Sequence, residues 1–201
     1  MKKLIFIFTF YPLITFAQIE ESKSLIKMKT EFGSENQELQ DILNFEKIDY
    51  YKTEFIGIDL KGKHYSLVVK EIWDGKVKHI DTILNTANNK YLKPLQSDTL
   101  SLRVTAKKSA EKKLKINFRF PQIGIEKTFD ASRSDDYSLR DFGTRITIES
   151  NKPFYAFAYI LPYEKNGFKY YCDVENSEKN IESWGKEFGI KHYILFEMNF
   201  K

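Results

Sequence analysis

Residues 64–84, HYSLVVKEIWDGKVKHIDTIL, constrain the fold more than any other stretch. Polar and apolar residues alternate on both sides of Asp74-Gly75, a pair that suits the two positive φ angles of a type I′ hairpin turn. A two-residue loop fixes the register. It sets Val69 opposite Ile80, Leu67 opposite Thr82 and Tyr65 opposite Leu84, with Glu71 opposite Lys78 as a favourable charge pair. A one-residue slip would split the apolar pairs.

The same period runs through most of the chain. YKTEFIGIDL precedes the hairpin across a Lys-Gly-Lys turn, so the three segments read as a meander. TLSLRVTA and KLKINFRF form a second hairpin, with Leu100, Leu102 and Val104 on one face and Leu114, Ile116, Phe118 and Phe120 joining them. IGIEKTF, RITIE, FYAFAYIL, FKYYCDV and KHYILFEMNF read as further strands, and ASRSDDYSLRD as a polar loop. Two helices interrupt the pattern. One spans about 35–45, with Ser34 and Gln37 at capping-box spacing and Leu39, Ile42, Leu43 and Phe45 on one face. The other, SEKNIESWGKEF, is capped by Ser177 and stops near Gly189.

About nine strands joined by hairpins predict an all-β, mainly antiparallel fold, a sandwich or a barrel, with one short N-terminal helix and one helix before the last strand. That closing helix and strand resemble the end of a lipocalin-like barrel, although the glycine-tryptophan pair of that family's first strand is missing. The 17 Phe, 12 Tyr and 2 Trp suit a half-buried sheet surface.

The N-terminus reads as an address. Lys2 and Lys3 precede an apolar run from Leu4 to Phe16, and Thr15 and Ala17 stand before a cut ahead of Gln18, the layout of a secretory signal peptide. The run falls short of the ~20 residues a membrane span needs, and Pro12 interrupts it. The expected organisation is a signal peptide over residues 1–17 and a single β domain over 18–201. Residues 18–47 form a polar and helical lead-in, and 18–32 are expected to be loosely ordered. The protein is expected to be exported, periplasmic or extracellular, with no membrane span after cleavage and no lipid anchor, because no cysteine follows the cut. Losing Lys2 and Lys3 lowers the formal charge from +4 to +2, a balance that selects no nucleic-acid partner. Cys172, the single cysteine, has no partner for an internal disulfide and reads as a small core residue.

Three groups of residues stand out as candidate binding sites. Arg103, Lys107, Lys108, Lys112, Lys113, Lys115 and Arg119 cluster on the second hairpin, and alternation puts Arg103, Lys113, Lys115 and Arg119 on the face opposite Leu102 and Phe118. Such a face would hold an anionic glycan, lipid headgroups or an acidic partner protein, or merely guard an edge strand. Tyr155, Phe157 and Tyr159 share one face of a strand and would stack on sugar rings if exposed, or fill the core if not. Asp130, Ser132, Ser134 and Asp141 fall at calcium-loop offsets, but Asp135 replaces the usual glycine and Arg133 and Arg140 intrude.

No catalytic motif is legible. There are three histidines, His64, His79 and His192. The hairpin register puts Lys70 opposite His79, and Ser66 lies too far along to be activated by it. No metal spacing, nucleophile elbow or phosphate loop occurs, and no cofactor is implied. The sequence reads as a non-catalytic binding module for a glycan, envelope component or exported protein. The alternatives are an interaction or inhibitor (immunity-type) protein, and a hydrolase whose site the sequence does not display.

Overall fold

A computed structural model describes residues 25–171 and 180–201. At the Asp74-Gly75 turn both residues take positive φ, 48° and 70°, as a type I′ turn requires. The turn joins β3 (Tyr65–Trp73) to β4 (Lys76–Asn85). The expected register holds for the first pairs, Trp73 with Lys76 and Ile72 with Val77. It then slips at Glu71/Ile72 and again at Leu67/Val68. Val69 therefore faces Asp81, Leu67 faces Leu84 and Glu71 faces His79, in place of Ile80, Thr82 and Lys78. The slips have a physical cause. β4 is the edge of its sheet, and bulges twist an edge away from chance pairing. They also bring Leu84 over the core while leaving Ile80 59% exposed.

The chain builds two open five-stranded antiparallel sheets rather than a closed barrel. The first has the order β1-β2-β5-β6-β7, formed by Lys27–Phe32, Asp49–Ile56, Thr99–Lys108, Lys113–Arg119 and Gly124–Asp130. The second has the order β4-β3-β12-β9-β8, completed by His192–Phe200, Phe154–Ile160 and Ser138–Asp141. A small hairpin of β10 (Tyr163–Lys165) and β11 (Phe168–Tyr170) stands apart. The expected three-strand meander does not form, because β2 and β3 belong to different sheets. Residues 57–64 carry the chain between them, with Leu60 fully buried at the crossing and the Gly62 N–H bonded to Leu95 O at 2.7 Å.

Several local expectations change. Lys27–Phe32, read as loosely ordered, pairs along its length with β2. β8 lies inside the expected polar loop: Tyr137, Leu139 and Asp141 are buried, alternating with Ser138 and Arg140. RITIE forms no strand: Arg145 ends a 3₁₀ turn, Gly143–Arg145, and Ile148 makes one bridge to Ile26. The described residues carry twelve strands, not about nine. The leader, Cys172 and the expected Ser177 cap lie outside the described residues.

The core lies between the sheets. Phe118 meets Phe196 at 4.9 Å, Phe55 meets Phe200 at 5.3 Å, and Tyr51 meets Phe157 at 6.5 Å, each pair crossing from one sheet to the other. Every inward residue expected on the β5–β6 hairpin is buried. Helix α1 (Gln37–Phe45) starts at Asn36, whose side chain accepts the Leu39 N–H at 2.9 Å, rather than at Ser34. Of its expected apolar face only Leu43 is buried.

The outer face of the second sheet is covered by a 3₁₀ turn (Ile181–Ser183) and the short helix α2 (Trp184–Glu187), ahead of Gly189, which takes the positive φ of a stop signal. Tyr193 fastens this cover, its hydroxyl receiving the Gly185 N–H at 3.2 Å and lying 2.9 Å from Glu182 O. Lys70 fastens it again, reaching Tyr155, Glu182 and Glu197 within 3.0 Å.

Candidate functional site

One end of the molecule gathers the β3–β4 turn, the loop 131–137, the loop after β9 and the entry to β12. β12 enters directly opposite the end of β3, so His192 faces Trp73 and the two rings stack at 3.9 Å and 19°. The inward face of β3 runs Tyr65, Leu67, Val69, Glu71, Trp73, which places an acid and an indole in line with the core. Trp73 Nε1 donates to Glu71 Oε1 at 2.6 Å, and His192 Nε2 lies 3.4 Å from the same oxygen. On its other side, His192 Nδ1 sits 2.5 Å from the Tyr137 hydroxyl.

Tyr137 Oη also accepts the Ser132 N–H at 2.9 Å, so the phenol joins the loop backbone to the imidazole. Nε2 faces Glu71 without a hydrogen-bond partner among the described residues. His192 is fully buried, and burial lowers its pKa to about 3, with only a weak opposing pull from Asp130. Burial also raises the Tyr137 phenol. Nearby, Asp49 accepts the Leu139 N–H at 3.0 Å, and burial pushes its carboxyl up to about 6 against that bond and the charge of Arg140.

Above this cluster opens a cleft of about 710 Å³. Trp73 and Phe188 supply its aromatic surface; Ser132, Ser134, Arg133, Glu164 and Lys191 supply its polar groups. The loop that forms one wall is held from beneath. Lys108 Nζ donates to Arg133 O at 3.0 Å, Ser134 O at 2.9 Å and Asp135 Oδ1 at 2.7 Å. Lys169 holds Asp136 at 2.6 Å, and Tyr171 donates to Asp136 O.

The loop read as a calcium option is organised by these lysines. Asp130 is taken by Lys113, Ser134 Oγ donates to Asp136 Oδ2 at 2.7 Å, and Asp141 accepts from Thr144 at 2.7 Å. The Ser132 hydroxyl accepts the Ser134 N–H at 3.2 Å. Among the described residues, no three His, Cys, Asp or Glu side chains converge as a metal site would need.

The basic hairpin is largely neutralised where it stands. Lys107 pairs with Glu46 at 2.9 Å, Lys108 with Asp135 at 2.7 Å and Lys115 with Glu126 at 3.0 Å, and Lys113 pairs with Asp130. Lys113 and Asp130 shift each other in opposite directions, the lysine up and the aspartate down, chiefly through their hydrogen bond. Lys112 holds the tip of the turn with φ of 57°. Arg103 and Arg119 face each other across β5 and β6.

The aromatic stripe divides. β9 carries an extra residue, Ala156, between the partners of Phe196 and Glu197. The bulge turns Tyr155 outward to Lys70 and Glu182, while Phe157 and Tyr159 are buried in the core. The expected single face of Tyr155, Phe157 and Tyr159 is therefore broken by the bulge. His79 stands opposite Glu71 rather than Lys70, and His64 Nδ1 meets Thr86 Oγ1 at 3.0 Å.

Sequence reading missed the cluster of Glu71, Trp73, Tyr137 and His192. One signal for it was available: Glu71 continues the apolar face of Tyr65, Leu67 and Val69, and an acid there must find partners inside. The chain has no match among family models, curated proteins or solved structures.

Proposed function

We propose that the protein is an exported binding domain that holds a polar, ring-bearing ligand, a glycan or a similar envelope component, in the cleft above Trp73. The observation that carries this reading is the lining itself. A cleft of about 710 Å³ that combines Trp73 and Phe188 with Ser132, Ser134, Arg133 and Lys191 offers flat apolar surface beside hydrogen-bond donors. That combination matches the alternating apolar faces and hydroxyl edges of a sugar ring.

The line Glu71–His192–Tyr137 has the order acid, imidazole, phenol, which invites a hydrolytic reading. The chemistry favours a scaffold instead. An imidazole with a pKa near 3 is a poor base at neutral pH, and the phenol beside it is buried, which raises its own pKa. Its effect is to hold Trp73 rigid at the cleft wall.

Tryptophan fluorescence tests the reading directly. The chain has 2 Trp, and Trp184 is only 2% exposed, so a ligand entering the cleft perturbs Trp73. Titration with a panel of soluble glycans is expected to give saturable emission changes with at least one class. Phe188→Ala with Arg133→Ala is expected to weaken that binding about tenfold or more while leaving the melting temperature within a few degrees. Emission unmoved by the whole panel, or binding unchanged in the double variant, would overturn the assignment.

A further inference from the structure

We infer that Lys52, Arg103 and Arg119 form a second site, on the outer face of the first sheet, for a polymeric ligand bearing several oxyanion groups. The three side chains fall in one row across adjacent strands: Lys52 is the register partner of Arg103, and Arg103 that of Arg119. They line a depression of about 410 Å³ walled by Phe120 and Pro121. The site lies away from the cleft, and no residue lines both.

What distinguishes the two arginines from the lysines of the basic face is that neither is matched to an acid. Four of the hairpin lysines are matched to carboxylates, as above, whereas Arg103 and Arg119 have no hydrogen-bond or ion-pair partner among the described residues. Glu54 lines the depression but is the register partner of Ser101 and pairs with neither arginine. Lys52 meets Glu31 at only 3.7 Å, and both are well exposed, so that contact holds little.

Like charges set directly opposite across two strands destabilise a sheet. The fold nonetheless gives Arg119 a seat. Its partner on β7 is Gly124, where an added Cβ would lie 2.7 Å from Arg119 Nη1, so the guanidinium lies over bare backbone. With Arg119 seated in this way and Arg103 directly opposite it, two unpaired guanidinium forks suit bidentate capture of sulfate, phosphate or carboxylate. Adjacent strands are about 4.8 Å apart, so the row spans roughly 10 Å, more than one such group fills. A chain carrying successive anionic groups fits that span, and a single ion does not.

The test is calorimetric titration of the protein at low ionic strength with a heparin-derived hexasaccharide and, separately, with inorganic sulfate. The hexasaccharide is expected to bind saturably and sulfate at least tenfold more weakly. R103Q/R119Q and K113Q/K115Q each remove two charges. The arginine pair is expected to cost about tenfold or more in affinity, and the lysine pair less than about threefold. R103K/R119K, which keeps the charge but not the forks, is expected to fall between them. Without ligand, R103Q/R119Q is expected to melt no lower than the parent, since a repulsion is relieved. Equal losses in the two glutamine variants, unchanged binding in R103K/R119K, sulfate as tight as the hexasaccharide, or no hexasaccharide binding would each overturn the proposal. The cleft assignment is judged separately, by Trp73 emission.

Discussion

His192 and Asp49 are displaced in opposite directions by burial, and their effects on stability oppose each other. For His192, the unfolded chain binds a proton below about 6.5 and the folded chain only below about 3. Between those values the unfolded state holds more protons, so stability rises with pH, by about 5 kcal/mol across the window for this fully buried ring. Asp49 behaves in reverse. Folded, it keeps its proton up to about pH 6, whereas unfolded it loses it near 3.8, so its contribution falls as pH rises through that interval. From about pH 4 to 6 the two slopes cancel. Urea unfolding at a series of pH values is expected to show Asp49→Asn gaining stability with pH through 4–6 more steeply than the parent, and His192→Gln losing stability there. Parallel curves for all three would show that neither group is held as described.

At the scale of elements, backbone meets backbone between the β3–β4 turn and α2. A Cβ on Gly185 would stand 2.5 Å from Gly75 Cα and 2.6 Å from its nitrogen, so there is no room for a side chain. Neither chain can retreat cheaply, because Gly75 already occupies the left-handed region the turn needs and Tyr193 holds the Gly185 N–H. Gly185→Ala is expected to cost roughly 2–4 kcal/mol, measured by denaturant midpoint. A denaturant midpoint unchanged within error would show that the two elements do not touch as described.

The elements also show what was legible beforehand. The β5–β6 hairpin could be read whole, because its alternation is strict and its inward residues from Leu100 to Ala106 and from Leu114 to Phe118 are apolar. The β3–β4 turn could be read too, but the bulges beyond it could not, since they answer to β4 being an edge. Tyr137 was hidden in a polar segment, with only Leu139 as a strongly apolar marker for β8. The pairing of β3 with β12 joins residues more than a hundred positions apart, and no local pattern announces such a partner. The site depends on that pairing, because it alone brings His192 to Trp73. The basic face was visible as composition, but the arginine row emerges only when β2 is known to lie beside β5.

Across the whole molecule, the two proposed sites divide the labour of the fold. The loops at one end shape the cleft, and the flat outer face of the first sheet carries the arginine row. The second sheet does not offer such a face on the side that α2 covers, where Tyr193 and Leu195 are fully buried. The sheets differ in another way. The first takes all its strands from residues 27–130, whereas the second has β12, residues 192–200, between β3 and β9.

That placement gives assembly an order in time. Until residues 192–200 have been made, β3–β4 and β8–β9 exist only as separate hairpins, each with an unpaired edge and an uncovered apolar side. A ribosome halted before His192 is expected to display chains whose second sheet is cut readily by protease, and release beyond Phe200 to confer resistance. Under the proposed export, which would carry the chain across a membrane unfolded, such lateness would be useful. The chain cannot lock into its final shape while its early strands wait for the one that will lie between them.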